Sequence, residues 1–281
     1  MNLLPLQYEP ILQAALLEDI GAGDLTAQYT VPSESTARAV MYAKAPGIIA
    51  GLSVGCRVFT LVDHFVMWEP HVADGEFVDA GTPIATITGS ARSVLTAERV
   101  ALNVVQRMSG TATMTRRFVD AVAGTRARIV DTRKTTPGLR VLEKYAVRAG
   151  GGHNHRIGLY DAVLIKDNHL AAGGGVRACI ERARAHAPHT TRVEVECKTL
   201  DEADEAIEAR ADIILLDNMD LMTLGEAVRR INGRAITEAS GGVRLETVRG
   251  IAETGVDVIS VGALTHSAPA LDISLDFHVG S

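Results

Sequence analysis

The sequence has few cysteines, no long apolar run and no excess of positive charge, and each shortage excludes a class of protein. Its three cysteines, Cys56, Cys179 and Cys197, have no CxxC spacing and indicate buried or inert thiols, not a disulfide framework. No apolar run reaches the length of a membrane span, and no signal peptide is recognisable. We therefore expect a protein of the reduced cytoplasm that does not associate with membranes.

The charge balance argues against a nucleic-acid partner. The formal net charge is −6 and the sequence pI is about 5.9, whereas domains that bind nucleic acids are usually basic. A chain of 281 residues with 47% hydrophobic and 22% charged residues is typical of a globular protein. It is long enough for one large α/β domain or for a barrel plus a smaller domain. Clusters of cations in such a chain are local features.

Three short stretches carry such cations beside strand ends or glycine-rich turns. Arg133 and Lys134 follow the apolar Ile129-Val130, and Pro137-Gly138 comes just after them. Taken alone, this first stretch could be a solvated turn. The other two stretches place His155-Arg156 after three glycines and Lys166 after another apolar run. Because paired cations at strand ends can hold an anion, the three stretches together predict one site for a polyanionic ligand.

The N-terminal part of the chain mixes helices with short strands. We predict helices over 3–20, 54–61 and 93–108, with Ser109-Gly110 ending the third and a further helix over 111–122. Arg92 is interpreted as a solvated residue of the third helix.

A hairpin-like pattern over 72–84 resembles the hammerhead hairpin of biotinyl and lipoyl domains. That pattern makes a carrier module an alternative. The nearest lysine, Lys44, lacks the flanking residues expected of an attachment site, so a structural antiparallel layer is the preferred interpretation.

From residue 128 onward, apolar strands alternate with helical patterns. This rhythm predicts parallel strands with right-handed crossovers, closed into a barrel or near-barrel. Pro137 is expected at the first position of one helix, and Thr199 with Glu202 forms a capping box for another. The predicted strands are 129–130, 163–165, 193–195, 213–216, 235–237 and 258–261.

The residues at the predicted strand ends sort into three chemical groups. The first two strands end in cations, and the next two end in Glu196 and Asp217, which could hold Mg²⁺. The last two strands end in glycine-rich loops whose backbone N–H groups suit a phosphate. Each strand-end acid alone could be a helix cap or an ion-pair partner. The combination predicts a ligand with carboxylates, a metal-chelated diphosphate and a monophosphate at the carboxyl ends of the strands.

Several motifs resemble those of the quinolinate phosphoribosyltransferase family, also called nicotinate-nucleotide pyrophosphorylases (carboxylating). The resemblance covers nearly the whole chain and rests on LEDIGAGDLT, ERVALNVVQRMSGTAT, DTRKTTPGLR, KYAVRAGGGHNHRIGLYDAVLIKDNH, VEVE, LLDNM, EASGG and ISVGALTHSAPALDISLDF. It implies an α/β fold with an N-terminal α/β sandwich (1–110) and a C-terminal, incomplete TIM-like α/β barrel (111–270) of type II phosphoribosyltransferases. A tail (271–281) is expected to pack back on the N-terminal domain.

The resemblance also implies a reaction, its substrates and a Mg²⁺ cofactor. Phosphoribosyl would pass from 5-phosphoribosyl 1-diphosphate to quinolinate, giving nicotinate mononucleotide, CO₂ and pyrophosphate for NAD biosynthesis. The expected catalytic residues are Lys134, Lys166, Glu196 and Asp217. The expected quinolinate ligands are Arg133, Lys134, His155, Arg156, Lys166 and, in trans from the partner of a homodimer, Arg99. The expected ligands of the phosphoribosyl diphosphate are Glu196, Asp217 (both also binding Mg²⁺), Ser240, Gly241, Gly242 and Gly262.

Two further alternatives remain open at this point, and one position departs from the family pattern. A paralogue associated with molybdate transport would keep the phosphoribosyl half and lose the dicarboxylate ligands; the cations present argue against it. A zinc site at His153 and His155 is disfavoured because no cysteine or further histidine lies nearby. Lys198 stands where some family members have glutamate, which puts that position's role in doubt. A higher oligomer than the dimer is possible within the resemblance.

Overall fold

The computed structural model describes residues 3–279 and folds into two compact units. The first unit contains the chain up to Arg116, the segment Thr135–Gly151 and the chain from Leu264 onward. The second unit contains Arg117–Lys134 and Gly152–Ala263. The predicted α/β class is confirmed, with an antiparallel sheet in the first unit and a parallel sheet in the second.

The first unit combines helices with a four-stranded antiparallel sheet in the order β12-β1-β5-β3, while β2 and β4 form a separate pair. Its elements are α1 (Pro5–Ile20), α2 (Leu25–Thr30), β1 (Thr36–Ala43), β2 (Gly47–Ile48), α3 (Leu52–Val62), β3 (Met67–Pro70), β4 (Phe77–Val78), β5 (Pro83–Ser90), α4 (Ala91–Ala121, whose last residues belong to the second unit), α5 (Arg140–Ala149), α11 (Ala263–His266) and β12 (Ile273–Val279).

One hydrophobic core holds this unit together. Helix α1 contributes Tyr8, Leu12 and Leu16, which recur every four residues and so lie on one face. The same core includes Phe59 of α3 and Met41 of β1, both fully buried. A buried side chain of this size stabilises the fold by roughly 1.5–3 kcal/mol. The predicted α1 is thus confirmed, within two residues at its start.

The predicted helix break at Ser109-Gly110 is wrong. Helix α4 runs through it as a single helix of 31 residues. A Cβ on Gly110 would collide with the backbone of Pro269 and Ala270, so this glycine permits a close approach of two chain segments. Ser109 is buried, and its hydroxyl accepts a hydrogen bond from the Ala50 N–H. Both residues therefore serve packing and do not end the helix.

The predicted hairpin over 72–84 is also wrong. Strand β4 pairs with β2, and β5 pairs with β1 and β3, so the two segments do not pair with each other. The hairpin on which the carrier interpretation rested is therefore absent from the described residues. Arg92 is likewise not simply solvated, because its guanidinium donates hydrogen bonds to the carbonyl oxygens of Gln28 and Val31 at the end of α2.

The helix predicted to begin at Pro137 begins later, at Arg140. Pro137 and Gly138 form a turn, and Gly138 has a φ of 82°, which a helix does not accommodate. The Glu143 carboxylate accepts a hydrogen bond from the Thr136 N–H and stabilises this turn. A proline followed by a left-handed glycine favoured a turn over a helix start, and the sequence interpretation gave that signal too little weight.

The second unit is a six-stranded parallel sheet in the order β6-β11-β10-β9-β8-β7. The two strands at the ends of this order, β6 and β7, are consecutive in the chain, as expected for a barrel left open along one seam. Its elements are β6 (Arg128–Val130), β7 (Val163–Ile165), α6 (Asp167–Gly173), α7 (Val176–His186), β8 (Val193–Cys197), α8 (Leu200–Glu208), β9 (Ile213–Asp217), α9 (Leu221–Ile231), β10 (Ile236–Ser240), α10 (Val248–Glu253) and β11 (Val258–Ser260).

The predicted strand–helix alternation of this unit is confirmed. Thr199 and Glu202 form the expected capping box at the start of α8. In α9, Leu224, Ala227 and Ile231 are buried along one face. Within residues 3–279, no helix is both long and apolar enough to cross a membrane.

Candidate active site

The candidate site is a cavity of about 500 Å³ at the carboxyl ends of the parallel strands. Parallel strands all end at the same edge of a sheet, so residues that follow different strands meet there. The cavity brings together most of the residues predicted from the sequence: Arg133, Lys134, His155, Arg156, Lys166, Glu196, Asp217, Ser240, Gly241 and Gly242. Gly262 lies two residues after the end of β11 and is not among the residues that line the cavity. Arg99 is an exposed residue of α4 in the first unit.

Strand alternation explains which side chains point into the second unit. In β8, Glu194 and Glu196 are separated by Val195 and therefore share one face. Both glutamates line interior cavities, whereas Val195 is fully buried on the opposite face. Strand β10 repeats the pattern with Glu238 and Ser240. An acid at every second position of a buried strand is the signal that places these groups inside.

Arg156 is the best-defined cation of the site. Its Nη1 donates to the Ala162 carbonyl oxygen at 3.3 Å, whereas its Nε is buried and has no hydrogen-bond partner among the described residues. Burial, and then repulsion by Arg133, lowers the pKa of Arg156. A partly buried guanidinium next to a second one is a costly arrangement that a bound anion would relieve. The pair therefore fits a carboxylate ligand.

The acidic side of the cavity is already partly paired with cations. Lys166 Nζ lies 2.7 Å from the Glu196 carboxylate, which is only 8% exposed. Asp217 is half-buried and accepts a hydrogen bond from Asn218 Nδ2. Lys166 thus lies between the cations and the acids of the cavity, where it can contact a bound anion as well as Glu196.

Lys198, the position that departs from the family pattern, forms an ion pair. Its Nζ lies 2.8 Å from the Asp167 carboxylate. This contact lowers the pKa of Asp167 and raises that of Lys198, so both groups are held charged. Both side chains are about half exposed, so the pair contributes little stability.

The glycine-rich loop after β10 needs glycine for its backbone conformation. Gly241 and Gly242 have φ values of 97° and 58°, in the region that favours glycine. A Cβ on Gly241 would collide with the side chain of Asn218. Asn218 in turn donates its backbone N–H to the Ser240 carbonyl oxygen at 2.9 Å. The loop is therefore fixed closely against the end of β9.

The ring of His155, a predicted quinolinate ligand, is hydrogen-bonded within the protein. Its Nδ1 accepts a hydrogen bond from the Arg156 N–H at 2.7 Å, and its Nε2 lies 3.2 Å from the Glu194 carboxylate. Glu238 Oε1 lies 3.6 Å from the same Nε2.

His155, Glu194 and Glu238 are spaced closely enough to hold a metal ion. A metal on Nε2 would need the ring proton on Nδ1, where the Arg156 N–H already points. The arrangement fits a hydrogen-bonded triad better than a metal centre. His153 is not part of this group.

Sequence reasoning missed the roles of Asp131, Glu194 and Glu238. Asp131 is fully buried directly after β6, and its carboxylate accepts hydrogen bonds from the His155 N–H at 3.0 Å and from Asn154 Nδ2 at 2.6 Å. It thereby fixes the loop that carries Arg156. Charged residues inside otherwise apolar strands were the available signal for the two glutamates.

A larger cavity of about 950 Å³ lies beside β7, α6 and α7 and shares Arg133, Arg156 and Lys166 with the site. Its remaining lining is mostly apolar and includes Leu159, Val163 and Leu164, with no acidic residue. The smaller cavity combines cations, carboxylates and the glycine loop. We therefore assign the site to the smaller one.

Comparison with known proteins decides the family. The model of the quinolinate phosphoribosyl transferase N-terminal domain matches residues 24–109, and that of the C-terminal domain matches residues 111–276. The chain belongs to the quinolinate phosphoribosyl transferase family. It is 47% identical to the nicotinate-nucleotide pyrophosphorylase [carboxylating] of Mycobacterium leprae over 94% of this chain and 95% of that one.

A solved structure and a plant relative also match the chain. The crystal structure of NadC from Streptococcus pyogenes superposes with a TM-score of 0.96 at 44% identity, over 100% of both chains. The chloroplastic nicotinate-nucleotide pyrophosphorylase [carboxylating] of Oryza sativa is 45% identical, over 94% of this chain and 76% of that protein. The family fold and its two domains thus extend over nearly all of this chain.

One prediction concerns the buried Glu238. Burial, and then the nearby Glu194, raises the pKa of Glu238 from 4.5 to about 7. The folded state therefore keeps a proton that the unfolded chain releases. The resulting contribution of Glu238 to the free energy of unfolding is fully present below about pH 4.5 and is lost as the pH rises through about 7. Replacing Glu238 by Gln, which does not titrate, removes this pH-dependent loss of folding stability. The variant's stability relative to the wild type should grow with pH, by at most about 3 kcal/mol.

Urea unfolding of both proteins at pH 5, 6, 7 and 8 measures this difference. Glu246→Gln, at an exposed position of the same unit, is the control and should show no trend. A difference that stays constant over this pH range would contradict the raised pKa.

Proposed function

We propose that this chain transfers phosphoribosyl from 5-phosphoribosyl 1-diphosphate to quinolinate with decarboxylation, giving nicotinate mononucleotide, CO₂ and pyrophosphate. The observation that carries the proposal is a cavity lined by cations and by acids. Arg133 and Arg156, whose Nε has no hydrogen-bond partner among the described residues, are the cations, and Glu196 and Asp217 are the acids. The relatives named as nicotinate-nucleotide pyrophosphorylases support it. They do not favour the alternative of a molybdate-transport-associated paralogue.

An assay for CO₂ and nicotinate mononucleotide tests the proposal. Quinolinate should be turned over, whereas nicotinate, which lacks the 2-carboxylate, should serve as a much poorer substrate. Equal turnover of both pyridines, or turnover of neither, would reject the assignment. We place the reaction in the cytoplasm, as the cysteine usage suggests.

The cations would bind and orient quinolinate. Arg133, Lys134 and Arg156 surround the part of the cavity where two carboxylates can be held by charge-assisted hydrogen bonds. Lys166, between this group and Glu196, would fix the ring next to the phosphoribosyl donor. Holding two anions in reacting geometry lowers the barrier without any covalent nucleophile. The pyridine nitrogen then attacks the anomeric carbon as pyrophosphate leaves.

The acids and the glycine loop would act on the phosphoribosyl half. Positive charge develops on the ribose in the transition state, and the fixed carboxylates of Glu196 and Asp217 would stabilise it. The backbone N–H groups of Ser240, Gly241, Gly242 and Gly262 would receive the 5-phosphate. After transfer, loss of the 2-carboxylate leaves a carbanion beside the cationic ring nitrogen, which stabilises it. A proton from solvent then replaces the lost carboxylate at this ring carbon, giving nicotinate mononucleotide, and CO₂ leaves the site.

Mg²⁺ fits the donor atoms of the acidic side. Glu196 and Asp217 offer hard carboxylate oxygens in one cavity, but they do not belong to a preformed cluster of three or more ligands among the described residues. Mg²⁺ commonly binds through one or two carboxylates, with substrate phosphates and water completing its shell. When bound, the ion would neutralise charge on the diphosphate. Asp217 is the better candidate for direct contact with Mg²⁺, because Glu196 already forms an ion pair with Lys166.

The first prediction of this function concerns the quinolinate ligands. Arg133→Ala or Arg156→Ala removes a charge-assisted contact worth roughly 1.5–3 kcal/mol, so quinolinate should bind at least tenfold more weakly. Calorimetry should show phosphoribosyl diphosphate binding nearly unchanged. Arg229→Ala, an exposed arginine of α9, is the matched control. Equal losses for both ligands would contradict the assignment of these arginines to quinolinate.

The second prediction concerns the metal. Glu196→Gln and Asp217→Asn should raise the Mg²⁺ concentration needed for half-maximal turnover, because each removes a charged oxygen ligand. Quinolinate affinity should change little in Asp217→Asn. Asp201→Asn, at an exposed acid in the first turn of α8, provides the control in a Mg²⁺ titration. Normal Mg²⁺ dependence in both variants would make these carboxylates structural.

The proposed assembly is a homodimer, or a higher oligomer built from it, in which Arg99 completes the partner's site. Arg99 and Asn103 are exposed on the same edge of α4, one turn apart. Gln106, the third polar residue on that edge, is used within its own unit, where its Nε2 donates to the Ile273 carbonyl oxygen at 2.7 Å. In a dimer with two-fold symmetry, this edge of α4 in each subunit would lie at the site of its partner.

Subunit mixing tests the role of Arg99 in trans. Arg99→Ala and Arg133→Ala should each be nearly inactive, whereas a freely exchanged equal mixture should recover roughly a quarter of wild-type activity. The recovery arises because half of the dimers carry one intact site. A mixture of Arg133→Ala with Arg156→Ala, whose positions share one cavity, is the control and should not recover. Absence of recovery with Arg99→Ala, once subunit exchange is verified, would place Arg99 elsewhere.

A further inference from the structure

Two buried glutamates lie beside His155, and the reaction described above does not use them. The side chains of Glu194 and Glu238 are 3% and 4% exposed. Glu194 lies 3.2 Å from His155 Nε2, and Glu238 Oε1 is buried without a hydrogen-bond partner among the described residues. Burying carboxylates is costly, so their retention here calls for a physical reason.

The hydrogen bonds of the His155 ring determine its tautomer. Nδ1 accepts from the Arg156 N–H, and an atom that accepts this bond carries no proton. The ring proton is therefore on Nε2, from which it is donated to Glu194. Both ring nitrogens are thus engaged inside the protein. His155 cannot donate to a substrate carboxylate without giving up one of these bonds.

We propose that Glu194 is a positioning residue that acts through His155 to hold Arg156 in place for the dicarboxylate substrate. This inference rests on the proposed function. The connection runs from Glu194 through the ring to the backbone N–H of Arg156. It gives His155 a role as a connector between strand β8 and the loop that carries the arginine.

Arg156 needs such a connection because its position is unfavourable without a ligand. Its guanidinium is partly buried and repelled by Arg133. The backbone of its loop is fixed by Asp131 and by Asp161, which accepts from the Ile157 and Gly158 N–H groups. The contact with Glu194 adds a link to β8, two residues before Glu196. The same strand would thereby set the distance between the quinolinate ligands and the acidic side.

Glu238 lies beside the same ring but is not its hydrogen-bond partner. Its Oε1 is 3.6 Å from His155 Nε2, whereas Glu194 is within hydrogen-bonding distance. Burial, and then the nearby Glu194, raises the pKa of Glu238 to about 7. Glu194 is therefore the partner whose hydrogen bond matters, and its substitution is the decisive test.

Comparison of Glu194→Ala with Glu194→Gln tests the proposal. Loss of one hydrogen bond to the ring in Glu194→Ala should raise the Kd and KM for quinolinate about tenfold. Both kcat at saturating quinolinate and phosphoribosyl diphosphate binding should stay within about twofold. Glu194→Gln should bind quinolinate like the wild type, because its side-chain carbonyl oxygen still accepts from Nε2. Glu246→Ala and Glu246→Gln, at an exposed position, are the controls.

A spectroscopic measurement separates positioning from general damage. Nitrogen-15 NMR of histidine-labelled wild-type protein should find His155 Nδ1 unprotonated and Nε2 protonated at pH 7. Glu194→Gln should keep that pattern and Glu194→Ala should lose it. If Glu194→Ala does not fold, the wild-type tautomer and the Glu194→Gln affinity decide the question alone.

Three results would overturn the proposal: wild-type quinolinate affinity in Glu194→Ala, a Gln variant as impaired as the Ala variant, or a protonated Nδ1 in the wild type. Failure of the proposed function itself would look different. In that case the wild-type protein would not bind quinolinate, while the tautomer measurement would still report on the connection between Glu194 and His155.

Discussion

Parallel pairing of the strands in the second unit is the constraint on which the candidate site depends. Each strand ends at the same edge, so residues as distant in sequence as Arg133 and Gly242 line one cavity of about 500 Å³. The period of two along β8 and β10 then brings acids into the interior between residues that pack against the helices. Cations come from the loops around these strands and acids mainly from the strands themselves. The separation of charge in the site follows from this difference in origin.

This origin also explains how firmly each group is held. Glu194 and Glu238 sit on strands and are almost completely buried, whereas Lys134 and Arg133 are exposed on a loop. Arg156 lies between these extremes, and its loop is fixed by backbone N–H groups that donate hydrogen bonds to Asp131 and Asp161. A site that binds two anions benefits from rigidly held acids and more adaptable cations.

The sequence predicted the parallel strands, the cavity residues and the family, because these depend on periodicity and on motifs that are local in the chain. Prediction from the sequence failed where a residue contacts a segment that is distant in the chain. Gly110 resembles a helix end but lets two chain segments pack closely, and Gln106 resembles a surface residue but holds β12. The hydrogen-bonded ring of His155 could not be predicted either, because its partners Glu194 and Glu238 come from two other strands. Such roles depend on geometry that only the folded chain defines.

The central position of β1 in its sheet has a consequence for how the protein is made. Strand β1 pairs on one side with β5 and on the other with β12, which follows every other described strand in the chain. Leu271 and Ile273, from the same late segment, belong to the core of the first unit. During synthesis the second unit can emerge whole, whereas the first cannot complete its sheet until β12 has also left the ribosome. The order of folding is therefore expected to reverse the order of the sequence.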